Sequence, residues 1–118
     1  MTFDGKVLVV SGGGGGLGQD VVRWFATRGA RVLVPEYSDR TDLFTELDNV
    51  TVVGGIDLTD EATVVEFYST LNSLWGSIHL AGGFAASAVV DTSLADFEHM
   101  HRMNVVTAFL CSREAVRK

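Results

Sequence analysis

Between Ser11 and Gly18 the chain reads SGGGGGLG. Glycine lets a turn tighten and lets backbone amides approach a phosphate, and a helix N-terminus placed there adds its partial positive charge. Two spacings coexist in the run: Gly13, Gly15 and Gly18 satisfy G-x-G-x-x-G, while Gly12, Gly16 and Gly18 satisfy G-x-x-x-G-x-G. The stretch expected to face a dinucleotide pyrophosphate is therefore Gly12, Gly15, Gly16, Leu17 and Gly18. Gln19 and Asp20 stand where a P-loop needs lysine and then serine or threonine, which disfavours kinase or ATPase chemistry.

Glu36 lies 20 residues after Gly16, where a carboxylate can accept hydrogen bonds from both hydroxyls of an adenine ribose and would repel a 2′-phosphate. Tyr37 is neutral and Gly15 precedes Gly16, so neither position supplies a cation to a phosphorylated ribose. The pattern favours NAD over NADP, with Arg40 near enough in sequence to keep NADP open.

The elements that must position these residues follow from hydrophobic periodicity. Val7 to Val10 is a short apolar run ended by glycines, as in a parallel strand buried on both faces. Leu17, Val21, Trp24, Phe25 and Arg28 recur at helical spacing from Gly16, and Gly29 caps the end. Val32 to Val34 predicts a second strand. Ser38 or Asp39 then caps a short helix carrying Leu43, Phe44 and Leu47, and Val50 to Val53 forms a third strand. Thr59 offers the next N-cap, with Asp60 and Glu61 in the first turn and an apolar stripe of Val64, Phe67, Tyr68, Leu71 and Trp75 ending near Gly76. Ile78 to Ala81 predicts a fourth strand. Ser93 and Asp96 resemble a capping box at the start of a long helix with Phe97, Met100, Asn104, Ala108, Cys111 and Ala115 on one face.

Strands alternating with helices require parallel βαβ units, so the fold class is α/β, as one domain over residues 1–118. The net charge of -6 argues against a nucleic-acid groove. The apolar run near the N-terminus is too short for a signal segment or membrane span, and Cys111 is the sole cysteine, a pattern that fits a cytoplasmic protein. His99 and His101, two residues apart, point to different sides of a helix, so no metal site is expected.

Three further segments, in order and spacing, resemble the short-chain dehydrogenase/reductase family. Asp57-Leu58-Thr59 follows the third strand; His79-Leu80-Ala81-Gly82 stands where the family usually has Asn-Asn-Ala-Gly; Met103-Asn104-Val105 lies in the long helix. The resemblance implies a Rossmann-like sheet in order 3-2-1-4 with helices on both faces. It also implies a nicotinamide dinucleotide held by the glycine run, Glu36, Asp57 and Leu58 at the adenine, and Ala81 and Gly82, with Asn104 in the proton relay of catalysis. Only Ala81 and Gly82 keep the third motif, and His79 is read as a hydrogen-bonded structural residue.

The family's catalytic serine and its Tyr-x-x-x-Lys pair normally lie beyond this point. Tyr37 and Tyr68 are followed four places on by Thr41 and Asn72. The resemblance therefore implies an oxidoreductase represented by its cofactor-binding portion, truncated relative to the family and inactive alone. The alternative is a non-catalytic NAD-binding or interaction module. A small-molecule substrate is expected if a C-terminal half completes the site, with Phe84 to Thr92 bordering its pocket. Self-association is expected through the strand-four edge or the long helix, with neither nucleic acid nor membrane as a partner.

Overall fold

A computed structural model describes residues 1–118. Strands β1 (Val7–Ser11), β2 (Arg31–Pro35), β3 (Val50–Val53) and β4 (Gly76–His79) form one parallel sheet in order β3-β2-β1-β4. β1 is central, with Val9 opposite Leu33 on one side and Ser77 on the other. A strand paired on both edges and covered on both faces must be apolar throughout, and Leu8, Val9 and Val10 are fully buried.

Because side chains alternate along a strand, these residues feed two separate cores. Leu8 and Val10 join Val32 and Val34 beneath α1 (Gly16–Ala26), together with Val22 and Ala26. Val9 points to the opposite face, where α2 (Glu61–Ser69) contributes Val64, Phe67 and Tyr68, and the last helix contributes Leu110 and Cys111. Helix α1 is capped as expected by Gly29, whose φ of 94° suits a glycine; Ala30 N–H bonds Phe25 C=O and Gly29 N–H bonds Ala26 C=O, the paired bonds of a Schellman cap.

Four expectations are corrected. The short helix carrying Leu43, Phe44 and Leu47 does not form: residues 41–46 are consecutive turns, and Phe44 sits at φ 60°, outside the helical region. The three side chains nevertheless pack on the first core, so their spacing reports burial rather than helix. In α2 the cap is Asp60, not Thr59: its carboxylate accepts from the Thr63 amide at 2.9 Å. That helix ends at Ser69, so Trp75 lies outside it, edge-on to Phe3 with ring centroids 5.5 Å apart. β4 begins at Gly76 and ends at His79, two residues earlier than the Ile78 to Ala81 run suggests.

The long helix is also interrupted. Helix α3 (Leu94–His101) passes into a π-helical segment, Arg102–Val106, and then into α4 (Thr107–Val116). A π turn inserts one extra residue and rotates the downstream helix by about 100° relative to a regular one. The single face expected from Phe97 to Ala115 is therefore split: Phe97 and Asn104 are exposed, while Thr107, Leu110, Cys111 and Glu114 are the buried positions. Ser93 does cap α3, accepting from the Asp96 amide at 3.0 Å. No helix is long and apolar enough to cross a membrane.

Asn49, just before β3, ties the α1–β2 connection to the sheet: its Nδ2 donates to Ala26 C=O at 2.8 Å and Ala30 C=O at 2.7 Å. Asn49→Ala removes the partner of the Ala30 carbonyl and one of the two donors to the Ala26 carbonyl in a partly buried position, an expected loss of about 1–3 kcal/mol in urea unfolding with an unchanged m value.

Candidate functional site

The glycine run turns sharply where β1 leaves the sheet. Gly12 has φ 69°, and a Cβ there would lie 2.5 Å from both the Ala81 nitrogen and the Leu80 carbonyl carbon. A Cβ on Gly18 would overlap the Gly12 carbonyl oxygen, and one on Gly13 would lie 2.7 Å from Val34 Cγ1. Gly16 is different: a Cβ there meets nothing within 4 Å. Gly16 also begins α1, behind Gly15, which provides no side-chain cap, and the first turn carries no acid. The first amides of a helix have no partner within it. Here they open beside an unfilled space at Gly16, the arrangement an anionic oxygen requires. Of the two spacings, G-x-x-x-G-x-G is the one whose middle glycine faces open space.

Glu36 follows β2 and sits against this loop, its Oε1 accepting from the Gly14 amide at 3.0 Å. One carboxylate oxygen is thereby anchored. Across the sheet, Asp57 Oδ1 accepts from both the amide and the hydroxyl of Thr59, at 2.9 and 2.7 Å, which rigidifies the β3–α2 turn. Leu58 within that turn is buried. Gly12, Gly15, Glu36, Asp57, Ala81 and Gly82 all line one cleft of about 600 Å³, within the size range of small-ligand pockets. Leu58 also lines it, whereas Gly16, Leu17 and Gly18, expected to face the pyrophosphate, are not part of its lining. Arg40 is exposed and outside the lining.

Asn104 is outside the cleft lining, beside Gly82, which belongs to it. It is exposed rather than packed in the core, so its amide carries no desolvation cost there. Its Oδ1 accepts from Gly83 N–H at 3.1 Å, while its Nδ2 donates to Gly83 C=O at 3.0 Å and Met100 C=O at 2.9 Å. This two-way bond clamps the loop after β4 onto the π segment. It also explains the two glycines there: a Cβ on Gly82 would come 2.5 Å from Asn104 Oδ1, and one on Gly83 would come 2.7 Å from Met103 Cε.

His79 does not enter the cleft. Its two ring nitrogens bond Ser77 Oγ at 2.8 Å and Ser112 Oγ at 3.0 Å, and Ser77 Oγ also bonds the Tyr68 hydroxyl at 2.8 Å. A hydrogen-bonded structural histidine is what these contacts describe. Burial pushes its imidazole below the ordinary value. Burial likewise pushes the Tyr68 hydroxyl up, with Cys111 beside it adding to the shift. Among the lining residues that sequence motifs do not single out are His99 and Arg102, the two that carry ionisable side chains.

A parallel sheet ordered 3-2-1-4, with a glycine turn and an open helix N-terminus at the end of its central strand, defines a Rossmann-type α/β protein. The short chain dehydrogenase family model matches residues 6–118, and the chain belongs to that family. Among curated relatives, the chain is 32% identical to the mitochondrial (-)-isopiperitenol/(-)-carveol dehydrogenase of Mentha piperita, over 97% of this chain and 47% of that protein. It is 27% identical to meso-2,3-butanediol dehydrogenase of Serratia marcescens, over 98% of this chain and 49% of that protein. A solved short-chain dehydrogenase/reductase from Serratia marcescens superposes with a TM-score of 0.87 at 27% identity, covering 99% of this chain and 52% of that one. The chain thus spans about half the length of the curated relatives it matches.

Two outcomes are expected from this geometry. Gly18→Ala must displace the Gly12 carbonyl and should lower stability by about 1–3 kcal/mol, whereas Gly16→Ala, with open space around it, should stay within about 0.5 kcal/mol of the parent in thermal melts. For His79, the unfolded chain binds the proton first as pH falls, so stability contributed by the neutral ring is present above about pH 6.5 and declines below it. His79→Asn should flatten that decline when urea midpoints are compared across pH.

Proposed function

We propose that this chain is the dinucleotide-binding portion of an NAD-dependent short-chain oxidoreductase that interconverts an alcohol and a carbonyl on a small molecule. The observation that carries the choice of cofactor is Glu36. Its carboxylate reaches the cleft beside the glycine turn, held by the Gly14 amide, with the neutral Tyr37 next to it. A carboxylate so placed accepts from a ribose diol and repels a 2′-phosphate. The carveol and butanediol dehydrogenases among the relatives support an alcohol or carbonyl substrate.

The residues divide the work by position. Gly12, Gly15 and Gly18 keep the turn tight, Gly15 through the bond of its amide to the Gly12 carbonyl at 3.0 Å, and the amides at Gly16 and Leu17 receive the pyrophosphate beside the open space at Gly16. Asp57 and Leu58 meet the adenine from the rigid turn, and Ala81 and Gly82 carry the cofactor past β4. Asn104 holds that last loop in place and, in the proposed reaction, orients the proton relay. When bound, the nicotinamide would supply or accept a hydride. The proton-transferring Tyr-x-x-x-Lys pair is not among these 118 residues, so turnover requires groups supplied from outside them. Exposed Phe97, Val105 and Phe109, with the unpaired edge of β4, support self-association through the long helix or that edge, in a cytoplasmic protein.

Titration with NADH and NADPH, followed by nucleotide fluorescence, checks the reading. NADH should bind at least about tenfold more tightly than NADPH, a difference of about 1.4 kcal/mol, and Glu36→Arg should reverse that preference. Absence of a saturable signal with either nucleotide at millimolar concentration would sink it.

A further inference from the structure

Two residues of one cleft wall, His99 and Arg102, belong to none of the motifs. The junction of α3 and the π segment brings His99, Arg102 and Met103 to the cleft, close to the β3–α2 turn. An Arg102 Nη donates to the Thr59 carbonyl at 3.2 Å, joining residues 43 apart in sequence. Arg102 is the sole arginine or lysine lining the cleft, facing a lining that contains two carboxylates, Glu36 and Asp57. Neither carboxylate forms an ion pair with it.

The anchor is well suited to hold a plane. The turn that carries the Thr59 carbonyl is itself pinned by the two bonds to Asp57 Oδ1. One hydrogen bond fixes one edge of the guanidinium; its remaining N–H groups make no other, and Asp60, next to Thr59, adds a Coulombic attraction. Guanidinium is planar and weakly hydrated and stacks on aromatic rings, which ammonium does not do. Ile56 lines the same cleft and offers an apolar surface to a ring.

We infer that Arg102 is a purine-recognition residue, its guanidinium anchored on the Thr59 carbonyl and laid against the adenine face of the bound nucleotide. The inference rests on the reading of the cleft as a dinucleotide site.

Binding of AMP and NADH to the full chain, measured by calorimetry and nucleotide fluorescence, tests it with three variants. Arg102→Ala should weaken both ligands by the same factor, about 3- to 10-fold. Arg102→Gln, planar but neutral, should retain more affinity than Arg102→Lys, charged but not planar, and raised salt should leave that ranking intact. Thermal melts confirm that each variant is folded, and the Gln–Lys comparison stands even if the Ala variant is not. Full recovery by Arg102→Lys would overturn stacking in favour of simple charge, and unchanged AMP affinity in Arg102→Ala would overturn the inference altogether. If Glu36→Arg still reverses nucleotide preference in that case, the cofactor reading survives and only the role of Arg102 falls. If the parent chain binds neither AMP nor NADH, both fall together.

Discussion

Everything at the candidate site depends on a contact between backbones. At Gly12 the turn after β1 approaches the chain leaving β4 so closely that no side chain fits between them, and on its other flank the same residue's carbonyl meets Gly18 in the first turn of α1. Three elements are brought together at one point without an intervening Cβ. The sheet order makes this possible, because β4 is the direct neighbour of β1. Close approach there draws Ala81 and Gly82 into the same cleft as Gly15 and Glu36.

The two half-cores set the rigidity of that arrangement. Leu8 and Val10 anchor α1 while Val9 anchors α2 and α4, so each face of β1 locks the strand against a different part of the helical layers. Burial of such side chains is worth about 1.5–3 kcal/mol each, which is why a strand of only five residues can hold both the glycine turn and the loop beyond β4.

Much of this is legible in the sequence. The strand order follows from the family resemblance, and the apolar runs mark all four strands, although they place β4 two residues late because Leu80 and Ala81 extend its apolar pattern. The motif around Asn104 is recognisable, but its environment is not. Helical periodicity assumes 3.6 residues per turn, and nothing in Arg102-Met103-Asn104-Val105-Val106 announces a π turn. The turns at residues 41–46 read as a helix because Leu43, Phe44 and Leu47 are spaced as on one, while the positive φ of Phe44 is a tertiary outcome that its side chain, buried in the first core, sustains. Glu36 is placed by its distance from the glycines, but its bond to the Gly14 amide is visible only in three dimensions.

The clamp between Asn104 and Gly83 makes the helix more sensitive to its length than to its surface chemistry. Removing one residue between the cap at Ser93 and the π segment would swing Asn104 by about 100° and shift it by about 1.5 Å along the axis, beyond reach of both Gly83 groups at once. Exposed positions such as Glu98 can vary in side chain without disturbing that registration. Insertions and deletions are therefore better accommodated in the loop from Phe84 to Ala88, before the helical count begins, than anywhere between Leu94 and Asn104.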